Sequence, residues 1–295
     1  MRRFPSPRPT LATPLLALAL AAAGVAANAA EPQAATAVAE QAAKPDAALQ
    51  AAIAGDWRSA ENRARDQYRH PAETMAFFGL APGQTVVEIT PGGGWYAEIL
   101  APYLRGNGRY VAAIVDPMAV PEGRSRDYQQ RGKDSLAKKF ADAPAQFDGT
   151  AVVGYDPAAP KFGEPGSADL VVTFRNVHNW RGSGQAEGMF KGFFDVLRPG
   201  GVLGVVEHRA KADVPAEDKS GYVGQAQVIA MAEAAGFVLD GKSEVNANPK
   251  DGKDHPNGVW TLPPSNNHDP EDAQKYRDIG ESDRMTLRFV KPARD

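Results

Sequence analysis

Short apolar runs alternate with helix-like or loop segments through the middle of this 295-residue chain, and this alternation constrains the fold more than any other feature. Runs rich in Val and Ile occur at residues 85–89, 109–115, 150–154, 169–174 and 201–206. Such runs, each followed by a crossover segment, are typical of parallel strands that are buried on both faces. The pattern therefore predicts a doubly wound α/β domain that binds its ligands at the carboxyl ends of the strands.

Helices and two further strands complete the predicted domain. Helices are expected at residues 95–104, 185–197 and 223–235, where Gly236 ends the last one. Residues 237–245 and 285–290 are expected to form the last two strands. A helical segment that begins near Asp56 is expected ahead of the first strand. The result is a mostly parallel sheet with an N-terminal helical extension.

A glycine-rich turn follows the first apolar run, in the sequence TVVEITPGGGWYAEIL. A phosphate-binding P-loop needs Lys and then Ser or Thr after its glycines, whereas this turn continues with Trp95 and Tyr96. If the second Gly of a G-x-G-x-x-G fingerprint is aligned on Gly92, Trp95 falls where helix and strand must approach closely. The turn thus excludes nucleoside triphosphates and disfavours nicotinamide and flavin dinucleotides. The ligand class that remains compatible with this turn is a nucleoside without a pyrophosphate.

Two acidic residues and the glycines of the turn are placed where they could bind such a nucleoside together. Glu88 lies near the end of the first strand, and Asp116 follows the second strand in YVAAIVDP. Gly92, Gly93 and Gly94 would leave room for the ligand, while a carboxylate would accept hydrogen bonds from two ribose hydroxyls. This arrangement is similar to that of class I S-adenosylmethionine-dependent methyltransferases.

Five segments carry a narrower resemblance: RDQYRHPAETMAFFGLAPGQTVVEITPGGGWYAEILAPYL, FRNVHNW, GGVLGVVEHRA, GVWTLPPS and IGESDRMTLRFVKP. They resemble a family of exported bacterial proteins described as predicted class I methyltransferases, and the resemblance covers nearly all of residues 56–292. It implies a Rossmann-like sheet of seven strands, the last of them antiparallel and beginning at Met285. It also implies S-adenosylmethionine as the cofactor.

The resemblance further implies a set of cofactor-binding residues, which are Glu88, Gly92, Gly93, Gly94, Asp116, Asp156 and Asn176. In this set Asp116 would bind the ribose, Asp156 would lie near the adenine, and Asn176 belongs to the loop after the fourth strand. The turn departs from the usual motif at Thr90, where Gly is usual, and at Pro91, which lacks a backbone N–H and stiffens the loop.

Two histidines stand just past neighbouring strand ends. His178 follows the fourth strand in RNVHNW and His208 follows the fifth in VVEHRA, and His70 in YRHPAE is expected to fold over them. Imidazoles there could deprotonate a substrate hydroxyl or amine, because their ordinary pKa is near neutrality. With Glu207 they could equally ligate a metal, or each could simply cap a strand end. The three histidines are the catalytic candidates, and no metal is assigned.

Arg175 is a second polar residue at the end of the fourth strand. A charge that follows a buried strand is costly if it has no partner. Asp169, Glu207 or an anionic ligand is therefore expected to pair with it.

The N-terminus is typical of a secretory signal peptide over residues 1–29. MRRFPSPRPT is basic, and LATPLLALALAAAGVAANAA is apolar and runs into small residues, with Ala27 and Ala29 placed for cleavage after Ala29. A membrane anchor is the alternative, but the apolar core is short and Pro14 interrupts it. A soluble periplasmic or secreted protein without stable membrane insertion is expected after cleavage.

Residues 30–55 are rich in Ala and are expected to form a spacer, followed by a methyltransferase-like domain at 56–295. Within that domain residues 246–283 are far longer than an ordinary connection. A disordered loop is one interpretation. Because Val259, Trp260 and Leu262 are costly to leave in water, a long ordered excursion packed near a site is favoured.

Charge and cysteine content exclude several classes of function. Cleavage after Ala29 would remove three arginines and no acid, so the formal net charge would fall from −3 to about −6. Nucleic acid is not expected as a partner, because phosphate binding needs a basic surface. The chain contains no cysteine, which excludes disulfides, thiol catalysis and thiolate metal ligands.

Three functions are compatible with these features. The first is a methyltransferase that acts on an oxygen or nitrogen atom of a small-molecule acceptor. The second is an exported, non-catalytic protein that binds a nucleoside or another small molecule on the same fold. The third is a metal-dependent hydrolase built on His70, His178 and His208, although neither H-E-x-x-H nor G-x-S-x-G is present.

Overall fold

A seven-stranded sheet forms the centre of the computed structural model, which describes residues 47–293. Its strands are β1 (Thr85–Ile89), β2 (Arg109–Val115), β3 (Ala151–Tyr155), β4 (Ala168–Phe174), β5 (Leu197–His208), β6 (Val238–Ser243) and β7 (Arg284–Val290). Their order across the sheet is β3-β2-β1-β4-β5-β7-β6. Only β7 runs antiparallel to its neighbours β5 and β6 in this sheet. The doubly wound α/β fold with an antiparallel last strand is thus confirmed.

The strand order reverses between β1 and β4. From β1 the chain moves outward through β2 to β3, and it then returns to pair β4 with the other side of β1. Because helices cover both faces, the central strands are mostly apolar: Val86, Val87 and Ile89 of β1 are all buried. The crevice at this reversal is where open α/β sheets bind ligands.

Helices flank the sheet, with short 3-10 helices at Pro117–Ala119, Gly258–Thr261 and Pro270–Asp272. The α-helices are α1 (Ala47–Ile53), α2 (Ala60–Arg63), α3 (Asp66–Arg69), α4 (Pro71–Phe78), α5 (Ala97–Leu104), α6 (Arg124–Asp142), α7 (Pro144–Phe147), α8 (Val177–Gly182), α9 (Ala186–Val196), α10 (Gln225–Ala234) and α11 (Ala273–Ile279). The helices predicted from the sequence correspond to α5, α9 and α10. The sequence did not predict α6, because Leu136 is its single buried residue and it shows no apolar period.

Part of the expected spacer is helical. Leu49 and Ala52 of α1 are buried in the same apolar cluster as Ile99 and Leu100 of α5. Two apolar residues three positions apart lie on one face of a helix, which explains how this Ala-rich segment packs. The signal peptide predicted at residues 1–29 lies outside the described residues. Within residues 47–293, none of the helices combines the length and apolar character needed to cross a bilayer.

The excursion at residues 246–283 contains two 3-10 helices and α11, and the buried carboxylate of Asp251 holds its ends together. This carboxylate accepts hydrogen bonds from Tyr222 Oη at 2.8 Å and from the backbone N–H of Asp283 at 2.7 Å. His255 Nε2 lies 2.9 Å from it. Val259 is buried, whereas Trp260 stays 38% exposed and faces the cavity described below.

Candidate active site

A cavity of about 950 Å³ opens at the carboxyl ends of β1, β4 and β5. Small-molecule sites in proteins occupy roughly 300–1,000 Å³, so this cavity lies at the upper end of that range. Its floor is the turn after β1, and its far wall is the loop after β4 together with the end of β5. Trp260 and Ser282 from the excursion, and Arg65 and Arg69 from the N-terminal helical region, complete the lining.

The glycine turn presents open backbone to this cavity. A Cβ atom added at Gly92 or Gly93 would meet no atom within 4 Å. Gly94 has a different role, because its Cβ would lie 3.0 Å from Leu136 Cδ1, and its φ of +74° also favours glycine. Thr90 adopts a left-handed φ of 51°, unusual for a β-branched residue, while its Oγ1 lies 2.8 Å from Tyr155 Oη. Backbone strain of this kind is concentrated at functional sites.

Glu88 lies beneath the turn and lines the cavity, although it is only 2% exposed. Its Oε2 accepts a hydrogen bond of 2.6 Å from Tyr110 Oη. Burial raises the pKa of Glu88 to about 7, against the opposing effects of Tyr110 and of the nearby Arg175 and Arg69. Glu88 therefore changes its charge near neutral pH.

His178 and His208 meet at the wall formed by β4 and β5, with their ring centroids 5.4 Å apart. The Glu207 carboxylate is fully buried between them. It lies 3.0 Å from His178 Nδ1, and it accepts hydrogen bonds from the backbone N–H groups of His178 and His208 at 3.1 and 2.8 Å. His208 Nδ1 lies 2.5 Å from Ser282 Oγ. The Nδ1 atoms of His178 and His208 therefore both contact protein groups.

The charge state of His208 follows from its surroundings. Burial, together with the positive charges of Arg175 and Arg284, lowers its pKa well below the ordinary value, so its ring is neutral at pH 7. His178, Glu207 and His208 each bring a ligand atom within 4.8 Å of the others, which is a spacing that a metal ion could bridge. The same arginines, however, disfavour an added cation there.

Three arginines without a recognisable signal in the sequence, Arg65, Arg69 and Arg284, also line the cavity around Glu281. Arg65 Nε lies 2.6 Å from Glu281 Oε1, and Arg69 Nε lies 3.2 Å from Oε2, which Arg284 also contacts. Glu281 and Arg284 belong to the segment IGESDR, whose residues show no local pattern that distinguishes them as site residues. Contacts across more than 200 positions leave no trace in a single sequence.

Comparison with solved structures agrees with this architecture. A S-adenosylmethionine-dependent methyltransferase from Aquifex aeolicus superposes with a TM-score of 0.51 at 15% identity, covering 77% of this chain and 93% of that one. The [4+2]-cyclase SpnF superposes with a TM-score of 0.55 at 16% identity, covering 83% and 93%. The chain has the Rossmann-like methyltransferase fold. No protein-family model and no curated protein matches its sequence.

Within this methyltransferase fold, Glu88, Gly92, Gly93, Asn176, His178 and His208 line the cavity, and Gly94, Asp116, Asp156 and His70 do not. Asn176 Nδ2 donates to Ile89 O and to Thr173 Oγ1, both at 3.1 Å, so this amide ties β4 to β1 at the reversal. The carboxylates of Asp116 and Asp156 accept from backbone N–H groups two residues further along the chain. Their neighbours Val115, Tyr155 and Pro157 extend the cavity lining towards them.

The expectation that three histidines share one cluster needs correction. His70 joins α3 to α4 with a left-handed φ of 40°. Its Nδ1 is buried and has no hydrogen-bond partner among residues 47–293. His70 is not among the residues that line the cavity, and the third residue whose ligand atom lies within 4.8 Å of those of His178 and His208 is Glu207.

Proposed function

We propose that this protein is a S-adenosylmethionine-dependent methyltransferase that acts on an oxygen or nitrogen atom of a small-molecule acceptor. The observation that supports it most is that one cavity at the strand reversal is lined both by an open glycine turn and by His178, whose Nδ1 lies 3.0 Å from the buried carboxylate of Glu207. The fold alone does not choose the reaction, since it is shared by a methyltransferase and by a [4+2]-cyclase. The proposal therefore depends on the residues of the cavity.

Those residues fit a nucleoside cofactor. Gly92 and Gly93 would approach it through backbone atoms, because neither position carries a side chain and the space above both is open. Val115 and Tyr155 continue the cavity along the ends of β2 and β3, towards Asp116. When bound, S-adenosylmethionine would supply a methyl group activated by a sulfonium sulfur.

His178 is the proposed general base. A carboxylate only accepts hydrogen bonds, so the proton of the neutral ring belongs on the Nδ1 that faces Glu207. Nε2 then remains free to accept a proton from an acceptor hydroxyl or amine. The carboxylate would stabilise the imidazolium that forms, as a buried acid does for a catalytic histidine in other enzymes.

Cofactor binding is tested by calorimetric titration of the protein with S-adenosylmethionine and S-adenosylhomocysteine. We expect saturable heat with both ligands, and formation of S-adenosylhomocysteine when a suitable acceptor is added. If neither heat nor a thermal shift appears at millimolar ligand, the proposal is refuted. The alternative of a non-catalytic protein that binds another small molecule would then be favoured.

We also propose export, on the basis of the signal-peptide pattern at residues 1–29. The test is the N-terminal sequence of the protein recovered from the periplasm or the medium of a bacterial host. Processing should leave Ala30 as the first residue. Recovery of only the unprocessed chain in the cytoplasm would contradict this part of the proposal.

A further inference from the structure

Four guanidinium groups line one side of the cavity, and a single carboxylate among them serves as ion-pair partner. Arg65, Arg69 and Arg284 all contact Glu281, whose two oxygens are divided among the three. Arg175, at the end of β4, is the fourth. Positive charge is thus in excess on this wall, even when Glu88 is ionised.

Several donors of this arginine cluster, which comprises Arg65, Arg69, Arg175 and Arg284, are buried without a hydrogen-bond partner among the described residues. Arg69 is only 1% exposed, and within residues 47–293 neither its Nη1 nor its Nη2 has a hydrogen-bond partner. The same holds for Arg65 Nη2 and Arg284 Nε. Buried donors are almost always paired in folded proteins, so donors without a partner on residues that line a cavity point to a ligand that accepts from them.

Arg175 supports the same conclusion independently. Of the partners that its sequence position allowed, Asp169 pairs with Arg198 at 2.6 Å, and Glu207 is held by His178 at 3.0 Å. In the part of the chain that the structure describes, Arg175 forms no ion pair. An anionic ligand is the partner that remains.

The electrostatics of the cluster agree with this geometry. Burial and the charge of Arg175 lower the pKa of Arg69 well below its ordinary value, and burial and Arg284 lower that of Arg175 to about 10. Burial opposes ionisation of Glu281, but the arginines hold its pKa down to about 2. Burial is the largest cause of both arginine shifts, and the neighbouring positive charges act in the same direction.

The cluster also lies next to the histidine pair. Ser282, which contacts His208 Nδ1 at 2.5 Å, stands between Glu281 and Arg284 in the chain. Arg175 directly follows β4, three residues before His178 in the first turn of α8. A group held by the arginines would therefore keep the rest of its molecule beside the proposed base.

We propose that the arginine cluster binds a carboxylate or phosphate group carried by the methyl acceptor, so that the substrate is a small anionic molecule. Arginine forks match both groups by paired, charge-assisted hydrogen bonds. The assignment to an acceptor rests on the proposed methyl transfer. A carboxylate could instead come from the amino-acid part of the cofactor, and the experiment below separates the two sources.

Inorganic phosphate and benzoate are titrated into the protein in chloride buffer, with thermal shift and calorimetry as readouts. The variant Arg175→Gln is compared with Arg277→Gln, which removes an equal charge from the exposed face of α11. We expect saturable binding of at least one of the two probes to the parent and to Arg277→Gln. In Arg175→Gln that binding should be at least about tenfold weaker, as loss of a charge-assisted hydrogen-bond pair predicts.

The unliganded Arg175→Gln variant should also melt at the parent temperature or above it, because the substitution removes a half-buried charge that has no ion-pair partner among the described residues. A lower melting temperature would indicate a structural partner and overturn the proposal. The proposal would also be overturned if neither phosphate nor benzoate bound to the parent, whether or not the cofactor binds.

The source of the anion is tested with S-adenosylhomocysteine and with 5′-methylthioadenosine, which lacks the amino-acid carboxylate. We expect Arg175→Gln to leave both affinities unchanged. A selective loss of S-adenosylhomocysteine affinity would show that the cluster binds the cofactor's own carboxylate, which contradicts the proposal. Binding of the anionic probes without any binding of S-adenosylhomocysteine would refute methyl transfer and, with it, the assignment to a methyl acceptor.

Discussion

His178 and Glu207 are joined twice, through the ring and through the backbone. Nδ1 of the imidazole lies 3.0 Å from Glu207 Oε1, and the backbone N–H of His178 donates to Oε2 at 3.1 Å. The carboxylate thus fixes both the start of α8 and the orientation of the ring that projects from it. Nε2 is the nitrogen left for chemistry.

Replacing His178 tests its proposed role as the general base. His178→Asn keeps a polar side chain of similar size but cannot take up a proton near pH 7, so turnover should fall by roughly 10² to 10⁴. Affinity for S-adenosylhomocysteine should change little. His268→Asn is the matched control, because His268 is not among the residues that line the cavity. Full turnover by a folded His178→Asn variant would transfer the role to His208.

Glu207→Gln should destabilise the protein even though the shape is kept. Both carboxylate oxygens accept from backbone N–H groups, at His178 and at His208. The amide of Gln must present NH₂ to one of these donors, leaving a buried N–H unpaired at a cost of about 1–3 kcal/mol. Chemical denaturation measures this loss. Parent stability in Glu207→Gln would mean that the carboxylate does not organise the site.

Gly93 tests the floor of the cavity. The backbone there does not require glycine, and an added Cβ meets no protein atom within 4 Å, so Gly93→Val should fold and place its side chain in the ligand's space. Affinity for S-adenosylhomocysteine should fall below detection. Gly132→Val on α6, where a Cβ also meets nothing, controls for the substitution itself. Equal affinity in the parent and in Gly93→Val would place the ligand elsewhere.

The sequence was sufficient to predict the sheet, but it was not sufficient to predict every residue of the candidate site. Strands such as β1 and β4 are short runs rich in apolar and β-branched residues, which is a local signal. Arg65 and Glu281 meet across 216 positions, and nothing local marks their contact. Arg175 did carry a signal, as a charge just after a buried strand. The sequence does not show how the helices on either side of His70 are arranged, so its absence from the cavity lining could not be predicted.

Glu88 makes stability depend on pH in a direction opposite to that of most carboxylates. Its pKa of about 7 in the folded protein lies above the ordinary value of 4.5, so folding favours the protonated form. The stabilisation is complete below about pH 4.5 and is lost as the pH rises through 7, with a slope of at most roughly 1.4 kcal/mol per pH unit.

Glu88→Gln should remove this dependence, because an amide stays neutral and can still accept from Tyr110 Oη. Well above pH 7 the variant should be more stable than the parent, by at most about 3.4 kcal/mol for a shift of this size. Urea denaturation of both proteins between pH 4.5 and 8 measures the two slopes. Glu73→Gln, on the exposed side of α4, removes an equal charge and should keep the slope of the parent. If Glu88→Gln keeps that slope too, the buried carboxyl is ionised throughout this range, and its burial must be offset by Arg175 and Arg69.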